Sequence, residues 1–471
     1  MSNNSRRVSA ESESVKTLQR SALALALISS FVVPVLFSSI NLALPALGRA
    51  FSLNAVTLSW VQTSVLLATA VTLLPAGRLA DIHGRKKTFT LGMALFGAAC
   101  LLAALAPNVH LLFLSLALIG LAAAMIFATG MAILSAAFPP RERGRAMGLT
   151  VAAVYIGLSL GPFLGGMLTQ YLTWRSVFLM GIPLSAMAFS VAFWGLKTEW
   201  AEAAGERFDL SGSIIYGLAL VVIIQAVGSL PGWSALARIL GGFVLLGVFV
   251  WWEGRVEAPV FQVGLFRSNR VFAFSSLAAL INYCATAAVV FLLSLYLQHV
   301  RGMGPREAGL VLIAQPIMMA LLSPLAGRLS DRVQPRIVAS VGMFLTAVGL
   351  FMLSLLEAET NLGYLILCLI VNGIGFGVFS SPNMNAIMSS VEKRYYGIAA
   401  GAVSSMRILG QMTSMGIAVS VIAVYVGRVE LGPENYPGLV LSLRTAFRIF
   451  SALCLVGFVA SLVRGRLGQE D

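Results

Sequence analysis

Residues 77–87 read Gly-Arg-Leu-Ala-Asp-Ile-His-Gly-Arg-Lys-Lys and lie between two apolar stretches that are each long enough to cross a bilayer. A connection this short between two membrane helices must turn within a few residues, and Gly77 and Gly84 permit this because they lack a Cβ. Short loops that are rich in Lys and Arg stay in the cytoplasm. The sequence therefore predicts a cytoplasmic turn between the second and third spans.

A second copy of this pattern lies in the other half of the chain. Residues 327–331 read Gly-Arg-Leu-Ser-Asp, 250 residues after the first copy, and they also follow an apolar stretch. A proline closely precedes each copy, at Pro75 and at Pro324. The sequence therefore predicts two related halves.

The composition excludes a soluble protein of this length. Of the 471 residues, 58% are hydrophobic and 11% are charged, whereas soluble domains have about 25% charged residues. The net charge of +13 would suggest a nucleic-acid partner for a soluble protein, but here Lys and Arg fall in short loops between apolar stretches. We therefore predict a polytopic protein surrounded by the lipid bilayer, with no nucleic-acid partner. The four cysteines fall inside apolar stretches, far apart in sequence, and we interpret them as small core residues.

Apolar runs of about 20 residues, the length that crosses a bilayer, recur along the chain. They occupy residues 21–47, 57–80, 88–106, 109–138, 145–170, 174–196, 209–229, 234–252, 271–298, 305–329, 334–356, 361–389, 397–426 and 443–464. This pattern predicts fourteen spans. The expected fold class is an all-α membrane protein with two six-helix bundles and two extra central transmembrane helices.

These spans divide the chain into five predicted parts. The parts are a cytoplasmic N-terminal tail (1–20), an N-terminal six-helix bundle (21–196), a linker with two extra transmembrane helices (197–270), a C-terminal six-helix bundle (271–464) and a cytoplasmic tail (465–471). With an even number of spans, both termini lie on one side of the membrane. The segments on that side hold 23 Lys and Arg, against eight on the other side. This asymmetry predicts that both termini are cytoplasmic.

The pattern Gly-x-Leu-Ala-Asp-x-x-Gly-Arg-Lys-Lys after a second span resembles the loop motif of the major facilitator superfamily, and the resemblance extends over nearly the whole chain. It implies the major-facilitator fold, in which two bundles give alternating access to a central site. It also implies that Asp81 contacts the start of the thirteenth span near Gly397, where unpaired N–H groups and the helix dipole favour an anion. The expected conformational gate comprises Gly77, Arg78, Asp81, Gly84, Arg85, Gly327 and Asp331.

The fifth span contains an unusual concentration of helix-breaking residues. They are Gly157, Gly161, Pro162, Gly165 and Gly166. Small residues four apart let helices pack backbone to backbone, which is one interpretation. The segment Gly-Pro-x-x-Gly-Gly also resembles the antiporter motif of drug exporters, and the following Trp-Arg pair with residues 178–183 resembles the fourteen-span drug-exporter branch.

Polar side chains within the spans are candidates for a substrate cavity, because transporter sites lie near the membrane midplane between repeats. Arg407 lies about ten residues, or roughly 15 Å, into the thirteenth span. Placing an arginine there costs at least ~2.5 kcal/mol, so it faces protein or water. A structural bond to Gln411 or to helix carbonyls and a ligand contact are both open. The candidate cavity residues are Asn41, Gln62, Asn282, Gln315, Asn372, Arg407 and Gln411.

The chain lacks the groups that the resemblance would assign to proton coupling. None of the 19 Asp and Glu falls deep within a predicted span. The drug-exporter branch has an acidic residue in the first span and an arginine in the fourth, where this chain has Leu36 and Leu116. Asp81 and Asp331 lie beside arginines in loops that we expect to be wet, where carboxylates stay ionised. Protons therefore remain an open choice of coupling ion.

Taken together, these patterns predict a transporter and not an enzyme, with no cofactor and no metal, since no nucleotide-binding, metal or nucleophile motif is found. We expect a monomer in the inner (plasma) membrane of a prokaryote that exports amphipathic organic compounds. Two alternatives are an uncoupled or uptake transporter of a neutral or anionic solute, and a non-transporting receptor on a transporter fold.

The predicted topology is testable with a single cysteine at position 83, His83→Cys, in a background without the four native cysteines. We expect an impermeant thiol reagent to label it only after the cells are opened, because the positive-inside asymmetry places this loop in the cytoplasm. A cysteine at position 49, Arg49→Cys, on the opposite side, is the control that should react in intact cells. Labelling of position 83 from outside intact cells would show that the predicted topology is inverted.

Overall fold

The computed structural model describes residues 2–52, 55–227, 233–261, 263–427 and 433–463. In these ranges the chain forms helices joined by short turns, with no strand. The α-helices are α1 (Ser2–Phe51), α2 (Ala55–His83), α3 (Arg85–Ala104), α4 (Val109–Ala137), α5 (Pro140–Tyr171), α6 (Trp174–Ser190), α7 (Leu210–Val227), α8 (Trp233–Glu253), α9 (Val263–Ser268), α10 (Arg270–Thr286), α11 (Val289–Leu295), α12 (Pro305–Leu312), α13 (Ala314–Ser330), α14 (Pro335–Leu353), α15 (Leu362–Ser389), α16 (Tyr396–Tyr425) and α17 (Tyr436–Val463). Short π-helices, Val191–Gly195 and Tyr296–Val300, extend α6 and α11.

Twelve helical stretches within the described ranges are long and apolar enough to cross a membrane. Large apolar side chains on these helices are exposed, among them Leu91 (62%) and Phe163 (66%). A soluble monomer rarely exposes many such side chains, whereas lipid requires them on the surface of a spanning helix. The prediction of an all-α, multi-pass membrane protein is therefore confirmed.

Helices α7 and α8 lie where the sequence predicts two extra central spans, but neither is among the twelve. The apolar part of α7, Leu210–Ala226, is shorter than 18 residues. The count of fourteen spans therefore stays a prediction.

The chain forms two compact units. The first comprises Met1–Asp209 together with Val391–Gly401, and the second comprises Leu210–Ser390 and Ala402–Asp471. Helix α16 thus begins in the first unit and continues into the second. Residues 197–209, which the sequence analysis assigns to the linker, group with the first unit.

Each unit has its own apolar core. In the first, Phe96, Trp174 and Phe178 pack in a cluster of buried side chains, and in the second Phe447 and Phe450 do so. All four cysteines are free and buried, with Cys100, Cys368 and Cys454 inside these clusters. This confirms their interpretation as core residues.

The turn between α2 and α3 is shorter than the sequence predicts. Because α2 continues to His83 and α3 begins at Arg85, Gly84 alone connects them, and Gly77 lies within a helix. Gly84 has a φ of +113°, a conformation that L side chains rarely adopt. A one-residue connection demands such a φ, so the glycine is required here and not at position 77.

The predicted ninth span, residues 271–298, is not one continuous helix. A turn at Ala287 and Ala288 separates α10 from α11. The N–H of Ala288 donates a hydrogen bond to Oγ of Ser414 in α16, at 3.0 Å, which replaces a lost helical bond. Hydropathy gives no sign of this break because both residues at the turn are alanine.

Candidate functional site

The carboxylate of Asp81 is fully buried near the end of α2. Its Oδ2 accepts a hydrogen bond from the backbone N–H of Ile398, at 3.1 Å, in the first turn of α16. Its Oδ1 accepts one from Nε of Arg85, at 2.9 Å. The first N–H groups of a helix have no partner within the helix, and the dipole makes this end positive. The carboxylate therefore neutralises both a buried guanidinium and a helix start.

Arg85 extends this contact to the segment that precedes α16. Its Nη2 donates to the backbone carbonyl of Lys393, and its guanidinium lies 5.5 Å from the ring centroid of Tyr396. The guanidinium of Arg143, at the start of α5, lies at the same 5.5 Å distance from this ring. A cation near an aromatic ring gains about 0.5–2 kcal/mol, more when it is desolvated. Two arginines from different helices thus hold one aromatic side chain at the start of α16.

Residues 196–206, which follow α6, pack against the other side of this turn. The carboxylate of Glu199 accepts hydrogen bonds from the N–H groups of Lys86 (2.8 Å) and Lys87 (3.2 Å), and so caps α3. The carbonyl of Trp200 accepts a bond from the N–H of Arg85 at 2.9 Å. We call residues 196–206 the capping segment, because they satisfy the start of α3 that Gly84 leaves without a side-chain cap.

The capping segment also binds the end of α2. The N–H of Ala203 donates to the carbonyl of Asp81 at 3.0 Å. The guanidinium of Arg78, whose side chain is 1% exposed, forms an ion pair with Glu206. The capping segment therefore contacts both helices on either side of Gly84.

Neither the capping segment nor the role of Tyr396 is predicted from the sequence. From the sequence, residues 197–209 are predicted only as part of the linker that contains the two extra transmembrane helices. One pattern in the sequence could have indicated this contact. Three acidic residues follow the sixth span, and their charge is opposite to that of the basic run at 85–87; they are Glu199, Glu202 and Glu206. Two of the three contact residues 78–87 directly.

One expectation about this site is wrong. The sequence analysis places Asp81 in a wet loop, but its side chain has no exposed surface, because α16 and Arg85 cover it. The second copy differs, since Asp331 is half-buried just beyond the end of α13, and Gly327 is buried within that helix. The two copies of the motif thus have different surroundings.

The glycines of α5 pack against α1. A Cβ added at Gly157 would lie 2.8 Å from the carbonyl oxygen of Phe31, and one at Gly165 would lie 2.6 Å from Cα of Ser39. The carbonyl of Gly161 accepts a hydrogen bond from Oγ of Ser39 at 2.8 Å. Glycines four residues apart thus let the two backbones touch, which supports the helix-packing interpretation for these three positions.

Gly166 does not share this role. A Cβ added there would meet no atom within 4 Å. The side chain of Pro162 lies outside the described residues. The part of the motif that the packing of α1 does not explain is therefore Gly166.

The candidate cavity residues of the second unit are buried amides. Nε2 of Gln315 in α13 donates to Oδ1 of Asn372 in α15, at 3.4 Å. Asn282 in α10 is fully buried, and neither of its amide atoms has a hydrogen-bond partner among the described residues. A buried amide without partners costs about 1–3 kcal/mol. The burial of Asn282 is therefore unfavourable, because no described residue forms a hydrogen bond with its amide atoms.

The remaining candidates stay predictions. Arg407 and Gln411 are half-buried in α16, four residues apart on one face. The side chains of Asn41 and Gln62 lie outside the described residues. Among the described residues, no group of three or more His, Cys, Asp or Glu is placed to hold a metal ion.

Acidic residues avoid the middle of the described spans. Within the twelve apolar stretches they are Asp81, Glu142 and Glu307, each within three residues of an end. The polar groups that lie deeper are hydroxyls, amides and arginines, among them Arg407 in α16 and Arg444 and Arg448 in α17. The described interior thus offers hydrogen bonds without a carboxylate.

Comparison with known proteins decides the family. The sequence profile of the Major Facilitator Superfamily matches residues 26–251 and 275–469. The chain belongs to the major facilitator superfamily. It is a transporter of this superfamily and not an enzyme, and it resembles the drug-efflux branch.

Individual relatives support the same family. The chain is 27% identical over 425 residues to the riboflavin transporter RibZ of Clostridioides difficile, which covers 90% of this chain and 93% of the relative. It is 31% identical over 395 residues to the multidrug resistance protein Stp of Mycobacterium tuberculosis, covering 82% of this chain and 72% of the relative. The crystal structure of the human organic anion transporter MFSD10 matches with a TM-score of 0.67 at 14% identity, over 94% of this chain and 99% of that one. This last likeness concerns the fold alone.

Replacement of Asp81 tests its role as a gate. Asp81→Asn keeps an acceptor for the N–H of Ile398 but leaves Arg85 as an unpaired buried cation, which costs of the order of 3 kcal/mol. We expect the population to shift toward the state in which the start of α16 leaves Asp81, with reduced transport and normal expression. Accessibility of single cysteines on both faces, with flux in proteoliposomes, measures this. Glu202→Gln, which removes an exposed charge from the capping segment, is the control. Unchanged flux and accessibility in Asp81→Asn would exclude the gate.

The glycine contacts predict opposite outcomes for two adjacent positions. Gly165→Ala places a methyl group against the backbone of Ser39, so we expect a loss of about 1–3 kcal/mol in stability. Gly166→Ala meets open space and replaces a poor helix former, so we expect no loss or a gain of up to about 1 kcal/mol. Thermal unfolding of the purified variants in one detergent measures the difference. Equal midpoints would show that α1 and α5 do not touch at this position.

Proposed function

We propose that this protein exports amphipathic organic compounds across the plasma membrane by alternating access. The observation that carries this proposal is the similarity to the multidrug resistance protein Stp over 82% of the chain. The described interior agrees with it, because buried amides and hydroxyls among apolar side chains suit a substrate that is mainly apolar with a few polar groups.

The contact between Asp81 and α16 supplies a gate for this cycle. It joins α2 to a helix start by a charge-assisted hydrogen bond, and such a bond is stronger than a neutral one. Of the gate residues, Gly77 and Arg78 lie in the last two turns of α2, Gly84 connects α2 to α3, and Arg85 begins α3. The capping segment binds to both helices at this connection. The gate opens when the hydrogen bond between Asp81 and the N–H of Ile398 is lost. The ion pair between Asp81 and Arg85 is kept, because the two residues are one helical turn apart.

A second candidate is transport of a planar vitamin-like solute, without commitment to direction. It is favoured by the similarity to RibZ, whose name is that of a riboflavin transporter, over 90% of the chain. A ring system with several hydrogen-bonding groups would also use buried amides. Export of unrelated amphipathic compounds and transport of one such solute differ in the breadth of substrates.

Energy coupling follows from the placement of charge. A proton-driven transporter needs a group that exchanges a proton with each side, and an intramembrane carboxylate is the usual one. Because the acidic residues of the described spans lie at span ends, we propose that transport depends weakly on a pH gradient. A proton mechanism would have to use a carboxylate at a span end, such as the buried Asp81.

Flux in proteoliposomes tests the function and its coupling together. We expect substrate-specific flux for some members of a panel of cationic, neutral and anionic amphiphiles, tested beside riboflavin. At fixed membrane potential, a pH gradient of two units should change the rate by less than about threefold, since no deep carboxylate links substrate to protons. Strong accumulation driven by a pH gradient alone would contradict the coupling proposal. No flux with any compound would contradict the export proposal and favour a receptor.

A further inference from the structure

A cavity of about 560 Å³ opens in the first unit, between α1 and the start of α5. Its lining includes Lys16, Arg20, Leu23, Phe138, Glu142 and Arg145. None of these residues belongs to the gate or to the candidate substrate cavity.

The cavity lies where two membrane spans begin. The apolar run within α1 begins at residue 21, directly after Arg20, and the span within α5 starts at Pro140. The lining residues therefore come from the first turns of two spans and the residues directly before them. Lipid headgroups lie at this depth, next to the ends of spanning helices. Its wall has charged side chains beside Leu23 and Phe138, which suits an amphiphile better than a small soluble ion.

The charge of the cavity is positive. Three basic side chains, Lys16, Arg20 and Arg145, line it together with one acidic side chain, Glu142. Lys16 and Arg20 are exposed, and within the described part of the chain neither has a hydrogen bond or an ion pair. Cations gathered in one cavity repel each other, and an anionic group among them relieves that repulsion.

We propose that this cavity binds the phosphate-bearing headgroup of an anionic phospholipid such as phosphatidylglycerol. Basic pockets between transmembrane helices at the membrane surface are suited to phospholipid headgroups. Arginine forms bidentate hydrogen bonds with phosphate oxygens, and Lys16 adds a point charge. The acyl chains of the lipid lie along the apolar wall at Leu23 and Phe138.

Glu142 gives the cavity a preference among anionic lipids. A carboxylate accepts hydrogen bonds and repels phosphate, so its favourable partner is a headgroup hydroxyl. Phosphatidylglycerol has two alcohol hydroxyls on its headgroup glycerol, whereas phosphatidic acid has no alcohol in its headgroup. Glu142→Gln therefore increases the affinity for phosphatidic acid relative to phosphatidylglycerol.

The test uses the full-length protein, purified and delipidated, with native mass spectrometry to titrate phosphatidylglycerol, phosphatidylcholine and soluble glycerol phosphate. The variant Lys16→Gln/Arg20→Gln removes two unpaired charges from the cavity. Lys197→Gln/Arg207→Gln removes two exposed charges from elsewhere and is the matched control. Each basic residue near an anionic surface contributes about fivefold to affinity, so we expect at least about tenfold weaker binding of phosphatidylglycerol by the first variant.

Each outcome decides the proposal. Loss of phosphatidylglycerol binding in the cavity variant, with wild-type binding in the control and equal unfolding midpoints without lipid, supports it. An equal loss of phosphatidylglycerol binding in both variants would show a general effect of charge and would contradict the proposed site. Equal affinity for phosphatidylcholine overturns the anionic selectivity. Glycerol phosphate binding as tight as phosphatidylglycerol shows that a soluble phosphate compound, and not a lipid, is the ligand.

Discussion

The pairing of the buried Asp81 carboxylate with Arg85 and with the N–H of Ile398 is the interaction on which the first unit depends at this end. An unpaired carboxylate without exposed surface would cost several kcal/mol, so both partners must be in place whenever Asp81 is covered. This need explains why α2 and α3 are joined by one residue. Arg85 follows Asp81 by one helical turn, and only a connection as tight as Gly84 returns its guanidinium to the carboxylate while α3 starts in a new direction.

The cluster around Asp81 is not fully satisfied. Nε and Nη1 of Arg78 and Nη1 of Arg85 have no hydrogen-bond partner among the described residues. Buried donors without partners raise the free energy of the state that contains them. An element that alternates between two states needs a gap of only a few kcal/mol, and a fully paired cluster would hold one state too firmly. Among the described residues, Arg78 is held by its ion pair with Glu206 alone.

Sequence reasoning predicts those features that are local. Hydropathy predicts the helices, because a spanning helix must be apolar over about 20 residues. The spacing of Gly157, Gly161 and Gly165 predicts that α5 packs closely on another helix, whereas the partner, α1, is known only from the structure. The capping segment is missed because Glu199 acts on α3 from 113 residues away, and no periodicity records such a distance. The turn at Ala287 is missed for another reason: a helix break whose freed N–H finds Ser414 needs neither proline nor glycine. The Asp81 contact was expected from the family resemblance, whereas its burial depends on how α16 begins.

The distribution of charge also constrains what the protein can use for energy. The acidic residues of the described spans lie at span ends, whereas the charged groups that lie deeper are arginines, Arg407, Arg444 and Arg448. The guanidinium of Arg407 can attract an anion or order water. The charge that crosses such an interior is therefore the charge of the substrate itself. For a cationic amphiphile, export opposes the membrane potential at about 2.3 kcal/mol per charge per 100 mV, so uncoupled flux would run inward. Export without a coupling ion is therefore physically consistent only for neutral or anionic substrates, whereas export of a cationic substrate would require a second ion to move inward in exchange.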